Sequence, residues 1–216
     1  MPPPLRFEFV MSAPSVTKLP ETMGEVALAG RSNVGKSSLV NALANRNGLA
    51  ATSKTPGRTQ MLNLFTLPDG RTLVDLPGYG YAKAPASARQ RWAKMIEAYL
   101  TQRDGLVTVV ALIDGEVGPT KLDLDLLDWL EHIDRPYRIV ATKADKVGNS
   151  KRQTRRRDLA EKCGVEVGDV LWVSAAKGTN IDLLRTELAQ WMIEPDDGDR
   201  PGAPVAWTPG RREEPP

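Results

Sequence analysis

The residues with the clearest chemistry form one short run, Gly30-Arg31-Ser32-Asn33-Val34-Gly35-Lys36-Ser37. Its two glycines let the backbone curl so that successive N–H groups turn inward, a concavity suited to phosphate oxygens. Lys36 supplies a point charge for β- and γ-phosphates, and Ser37 a hydroxyl for a magnesium ion. A helix predicted over 37–44 adds its positive N-terminal end. A glycine-containing turn into a helix is the plainer reading. An apolar strand before the run and a helical pattern after it favour the phosphate cradle, which does not by itself choose a base.

A base reader lies downstream. Thr142-Lys143-Ala144-Asp145 closes an apolar strand. An aspartate there accepts hydrogen bonds from the ring N–H and amino group of guanine. Adenine lacks that donor pair and would leave the carboxylate unpaired. The aliphatic stem of Lys143 can cover the purine. Ser174-Ala175-Ala176 ends the last strand, where small residues allow close approach and the Ala175 amide can donate to the guanine carbonyl. Either motif alone is only a strand terminus; downstream of the cradle, in this order, they form a pocket.

Two further segments carry the expected response to the γ-phosphate. Asp75-Leu76-Pro77-Gly78 closes a strand, with Asp75 holding the magnesium shell through water and the Gly78 amide facing the γ-phosphate. Thr59, within Gly57-Arg58-Thr59-Gln60-Met61, offers a second hydroxyl to the ion from a loop clamped only by a triphosphate. A Pro-Gly surface turn is the competing account of this loop. Ser37 and Thr59 are thus the expected metal ligands, and Lys36, Thr59 and Gly78 the expected catalytic groups. The position after Gly78, where a water-orienting glutamine would serve hydrolysis, is Tyr79. Hydrolysis is therefore expected to be slow unless a partner or a monovalent cation assists.

These groups need a scaffold that brings strand ends together. Short apolar runs at 25–30, 61–67, 72–77, 106–114, 137–145 and 169–175 read as strands, several of them covered on both faces. Helical periodicity marks 88–102, 122–133 and 181–191, with a capping box at Thr120 and Asp123 and Asn180 as an N-cap. The alternation predicts a three-layer α/β domain with a six-stranded, mainly parallel sheet. One antiparallel strand follows from a hairpin turning at Pro68-Asp69-Gly70. The predicted organisation is an extension over 1–24 on or near the core, a nucleotide-binding domain over 25–193, and a disordered Pro-rich tail over 194–216.

The chain has 216 residues, enough for one buried core, and its formal net charge of +2 argues against a wholesale nucleic-acid coat while allowing a local basic patch. A single cysteine, Cys163, excludes an internal disulfide and points to a reducing compartment. No apolar run is long enough to span a bilayer, and the N-terminus lacks the pattern of a secretory signal. The expectation is a cytoplasmic monomer without membrane contact.

FVMSAPSVTKLPE, EVALAGRSNVGKSSLVNALAN, KTPGRTQMLNLF, DLPGYGYAKAP, TKAD and VSAAKG, collinear over about residues 5–193, resemble the EngB (YihA/YsxC) family of bacterial ribosome-biogenesis GTP-binding proteins, within the TrmE-Era-EngA-EngB-septin-like GTPases. KTPGRTQ and DLPGYGYAK are far more specific than the cradle. The resemblance implies GTP and GDP as ligands, magnesium, low intrinsic hydrolysis, and a part in assembling the large ribosomal subunit, with a role in cell division or septation. It also implies that Asn33 can hold a potassium ion that replaces the missing positive charge. Lys151, Arg152, Arg155, Arg156 and Arg157 form the densest basic cluster; they read as a solvated helix face or a contact to ribosomal RNA. Two other functions stay open from the residues: a nucleotide-sensing module without useful turnover, and a P-loop ATPase acting on RNA.

Overall fold

A computed structural model describes residues 3–22, 24–50, 61–80 and 86–193. The expectations for Gly57, Arg58, Thr59 and Gln60, and for the tail over 194–216, lie outside the described residues.

One seven-stranded sheet carries the fold. Its strands are β1 (Glu8–Ala13), β2 (Glu25–Gly30), β3 (Leu62–Thr66), β4 (Thr72–Asp75), β5 (Leu106–Asp114), β6 (Tyr137–Thr142) and β7 (Val170–Trp172), in the order β1-β3-β4-β2-β5-β6-β7. β2, β4, β5, β6 and β7 run parallel, while β3 is antiparallel to both its neighbours. The expected hairpin joins β3 to β4, turning at Gly70 with a φ of 88°. The seventh strand is β1, which pairs with β3 through a register shift between Phe9 and Met11. Its first three side chains are exposed in succession, so it shows no inward-outward alternation for a pattern reading to catch.

Helices α1 (Lys36–Ala44), α2 (Ala86–Gln102), α3 (Lys121–His132), α4 (Arg152–Lys162) and α5 (Ile181–Trp191) cover the sheet. Strand alternation decides which side each residue serves. Val26 and Leu28 of β2 pack with Leu39, Val40 and Leu43 of α1 and Leu184 and Leu188 of α5. Ala27 and Ala29 turn the other way, toward Ile96, Tyr99 and Leu100 of α2 and Leu126, Trp129 and Leu130 of α3. On that same side Leu159 and Ala160 of α4 meet Ile113, Ile139 and Trp172. The layers are therefore helix, sheet, helix, as the alternation of the sequence implies. Asn180 precedes α5 as expected, but its side chain does not cap it; it donates to the Trp172 carbonyl at 2.8 Å.

Far from the carboxyl ends of the strands, Glu25 at the start of β2 is fully buried. It accepts hydrogen bonds from Tyr99 at 2.6 Å, Arg103 Nε at 2.8 Å, Arg103 Nη2 at 2.9 Å, Thr22 at 2.8 Å and Thr72 at 3.1 Å. Arg103 also donates to the Pro20 carbonyl. One carboxylate thus joins the segment before β2, the start of β4 and the end of α2. Burial pushes its pKa up, but the bonds from Arg103 and Tyr99 and the Arg103 charge outweigh that and hold it below 4.5.

A buried charge that loses its partner is expensive, and so is a partner left without its charge. Glu25→Gln should lower the unfolding free energy by about 3 kcal/mol at pH 7, measured by urea denaturation. Because the folded carboxyl titrates below its unfolded value near 4.5, its contribution is complete above that pH and fades as acid passes through the folded pKa. The gap between wild type and variant should accordingly shrink below pH 4.5.

Candidate functional site

The site lies along the carboxyl ends of the parallel strands, where open α/β sheets leave a crevice for ligands. β2 ends at Gly30 because nothing larger fits: a Cβ there would stand 2.9 Å from both the Leu112 carbonyl and a Val34 methyl. The chain then curls through Asn33 at φ 64° and Gly35 at φ 109°. α1 starts at once, with Leu39 N donating to the Gly35 carbonyl at 2.9 Å. Arg31, Ser32 and Gly35 are half-buried, Asn33 is exposed on the rim, and Val34 is buried beneath. Lys36 is 8% exposed, its ammonium donating to the Gly30 carbonyl at 3.0 Å and the Arg31 carbonyl at 3.4 Å. Burial lowers its pKa against the opposing pull of Asp75.

Asp75, at the end of β4, is buried, and its Oδ1 has no hydrogen-bond partner among the described residues. Burial raises its carboxyl to about 6, with the Lys36 charge and a bond from the Ser37 hydroxyl pulling it back. An orphaned carboxylate oxygen beside a serine hydroxyl and an ammonium fits the outer shell of a hydrated divalent cation. Among the described residues no group of three or more His, Cys, Asp or Glu side chains could hold a metal. The fit is to an ion completed by ligand oxygens, as magnesium at a phosphate site is. Leu76 and Pro77 are buried, and Leu76 N donates to the Leu28 carbonyl at 3.1 Å. Gly78 lies hard against the loop, where a Cβ would be 2.9 Å from Ser32 N and 3.1 Å from Lys36 Nζ. Met61 is exposed, just before β3.

The residues expected to read a base meet at the ends of β6 and β7. Ser174 is fully buried and donates to Asp145 Oδ1 at 2.5 Å, while its own Oγ accepts the Lys177 amide at 3.1 Å. One face of the Asp145 carboxylate is fixed in this way. Ala144 and Ala175 are half-buried and Ala176 is exposed, so the rim is small and open. Thr142 Oγ1 donates to the Val34 carbonyl at 2.7 Å, tying this end of β6 directly to the phosphate loop.

Asp114 was not singled out from sequence, and Tyr79 and Asp123 make contacts that the sequence did not show. Lys143, at φ 55°, is held by Asp114 Oδ2 at 2.6 Å, and Asp114 Oδ1 accepts the amides of Glu116 and Val117. Asp114 ends β5 on the ligand-facing edge, and that position was its signal. Tyr79 does not stand free after Gly78: its hydroxyl donates to Asp123 Oδ1 at 2.9 Å, and Arg31 Nε lies 3.3 Å from Asp123 Oδ2. Asp123 also forms the expected capping box, accepting the Thr120 amide and hydroxyl. Among the described residues, no helix is long and apolar enough to cross a membrane.

Comparison with known proteins agrees with this geometry. Residues 25–143 match the model of the family described as 50S ribosome-binding GTPase. The chain is 45% identical over 192 residues to a protein of Pelobacter propionicus named "Probable GTP-binding protein EngB", covering 86% of this chain and 96% of the relative. It is 42% identical over 189 residues to the protein of the same name from Escherichia coli O139:H28, covering 86% and 90%. A crystal structure of a probable GTP-binding protein EngB superimposes with a TM-score of 0.65 at 25% identity, covering 78% of this chain and 98% of that one. Era from Aquifex aeolicus bound to GDP·AlF4−, at 24% identity and a TM-score of 0.63 over 80% and 57% of the two chains, shares the fold.

Ser174→Ala removes the one side-chain donor seen on Asp145 among the described residues. Guanine-nucleotide affinity should fall about 10-fold, since a hydrogen bond to a charged group is worth roughly 1.5–3 kcal/mol. Titration calorimetry with GDP checks the loss, and an unchanged far-UV spectrum separates it from misfolding.

Proposed function

Because the chain belongs to the EngB family of GTP-binding proteins, we propose that it is a slow GTPase switch acting in assembly of the large ribosomal subunit. The observation that carries the nucleotide reading is Asp145, held by Ser174 just beyond the strand whose last residue, Thr142, is bonded to the loop over residues 30–37. Base and phosphate recognition are thereby fixed relative to each other. In this reading the roles divide by position. Residues 30–37 wrap the phosphates, Lys36 and the Gly78 amide take charge developing on the γ-phosphoryl group, and residues 142–145 with 174–176 hold guanine. Magnesium, on the hydroxyls of Ser37 and Thr59 with Asp75 behind its water shell, would neutralise phosphate oxygens.

Slow turnover follows from Tyr79. The side chain where a water-positioning glutamine would stand is bonded through its hydroxyl to Asp123, on α3. Asn33, exposed on the rim at positive φ, is the group through which a potassium ion would add positive charge to the site. Phosphate release should therefore be faster in potassium than in sodium at equal ionic strength. Equal rates remove the role of Asn33.

Two observations support the ribosomal part: the description of the matching family and the basic surface of α4. Lys151, Arg152 and Arg157 are exposed, and Arg155 and Arg156 half-buried. Arg156 stacks over the Trp172 ring at 5.9 Å, which leaves the outward pair, Arg152 and Arg157, free of structural duty in the described fold. The proposal extends to a cytoplasmic monomer whose loss disturbs septation, and takes 25–193 as the nucleotide-binding unit with 1–24 as an extension on it.

The test is co-sedimentation with large ribosomal subunits in GDP and in a non-hydrolysable GTP analogue. Binding should depend on the nucleotide. The Arg152→Glu, Arg157→Glu double variant should lose on the order of 10-fold in subunit affinity, with a shallower salt dependence and an unchanged GDP affinity. Equal, negligible sedimentation in both nucleotide states contradicts the proposal.

A further inference from the structure

Tyr79 joins the loop over residues 30–37 to the start of α3. Its carbonyl accepts the Ser32 amide of the phosphate loop at 2.9 Å, and Tyr79 pairs with Arg31 as an isolated parallel bridge. Gly78 beside it lies so close that a Cβ would approach Ser32 N within 2.9 Å and Lys36 Nζ within 3.1 Å. The backbone of Gly78 and Tyr79 is therefore zipped onto the loop and packed over the ammonium that serves the γ-phosphate. The side chain fixes this arrangement from the far end. Its hydroxyl donates to Asp123 Oδ1 at 2.9 Å, and Asp123, 1% exposed, also takes Arg31 at 3.3 Å. Asp123 cannot follow a moving tyrosine easily, because Oδ2 is held by the Thr120 amide at 2.8 Å and hydroxyl at 2.7 Å at the start of α3. Burial and the neighbouring Asp123 charge push the Tyr79 phenol well above its ordinary pKa, so it stays a donor.

We propose that Tyr79, Asp123 and Arg31 form a latch that determines selectivity between di- and triphosphate, favouring GDP by holding Gly78 and Tyr79 against the phosphate loop. A diphosphate leaves the zipped segment in place. A triphosphate requires the Gly78 amide to turn toward the γ-phosphate, which costs the Tyr79–Asp123 bond or displaces the start of α3. The same connection gives α3 a different anchor in the two nucleotide states. A ligand shifts an equilibrium only by its differential affinity for the two arrangements, and here the latch supplies the difference.

This inference rests on the guanine-nucleotide reading of the site, and the experiment separates the two. Equilibrium binding of fluorescent GDP and of a fluorescent non-hydrolysable GTP analogue is measured for wild type, Tyr79→Phe and Thr120→Ala. Tyr79→Phe deletes only the latching hydroxyl. It should bind the triphosphate analogue about 10-fold more tightly while GDP affinity stays within about 2-fold. Thr120→Ala removes one of the two bonds that hold Asp123 Oδ2 but keeps the Tyr79–Asp123 bond, so its ratio of the two affinities should shift in the same direction as in Tyr79→Phe and by less. Equal changes for both nucleotides in Tyr79→Phe, no change at all, or a larger shift of the ratio in Thr120→Ala than in Tyr79→Phe overturns the latch. Failure of the wild-type protein to bind GDP overturns the reading of the site, and the latch with it.

Discussion

The site depends on one tether, the bond from the Thr142 hydroxyl to the Val34 carbonyl. The proposed phosphate loop sits at the end of β2 and the proposed base-reading residues at the ends of β6 and β7, so they are distant in sequence and separated in the sheet by β5. A nucleotide has a fixed span between base and phosphate. Recognition at both ends is additive only if the two loops cannot drift apart. Parallel pairing of β2 with β5 and β5 with β6 fixes the strand ends coarsely. The threonine fixes the loops themselves.

The chemistry of the site works against the stability of its walls. Lys36 and Asp75 are both buried, and burial pushes each toward its neutral form. Gly30 and Gly78 allow backbone segments to approach more closely than any side chain would permit. Such features are tolerated where a bound anion and cation are to complete the charge balance. The opposite end of the sheet offsets them. There Glu25 is a buried charge with every neighbour matched to it, and it joins the early chain, β4 and α2 in one network.

How much of this was legible in sequence follows from how local each feature is. The strands around β2, β5 and β6 are apolar enough to show, and the motifs at their ends announce themselves by residue type. β1 was missed because Phe9 and Val10 are half-exposed on an edge, where burial leaves no periodic trace. The capping box at Thr120 and Asp123 was legible because its two partners are three residues apart. The same aspartate's hydrogen bond from Tyr79 and ion pair with Arg31 span 44 and 92 residues, and no spacing rule reports a contact made by folding. Tyr79 shows this most clearly. Its identity told that a glutamine was missing, and only its position told what the hydroxyl does instead. Asn180 shows the converse, a cap by residue type whose side chain serves Trp172.

The central claim is that a rigidly held carboxylate at Asp145 selects the purine while the loop over residues 30–37 holds the phosphates. Calorimetry with GDP and ADP on the wild-type protein and on Asp145→Asn tests it most directly. The account predicts that wild type favours GDP by at least about 100-fold, and that the variant loses this preference because its amide can no longer accept both guanine donors. Comparable affinity of wild type for GDP and ADP, or an undiminished preference for GDP in the variant, would contradict it.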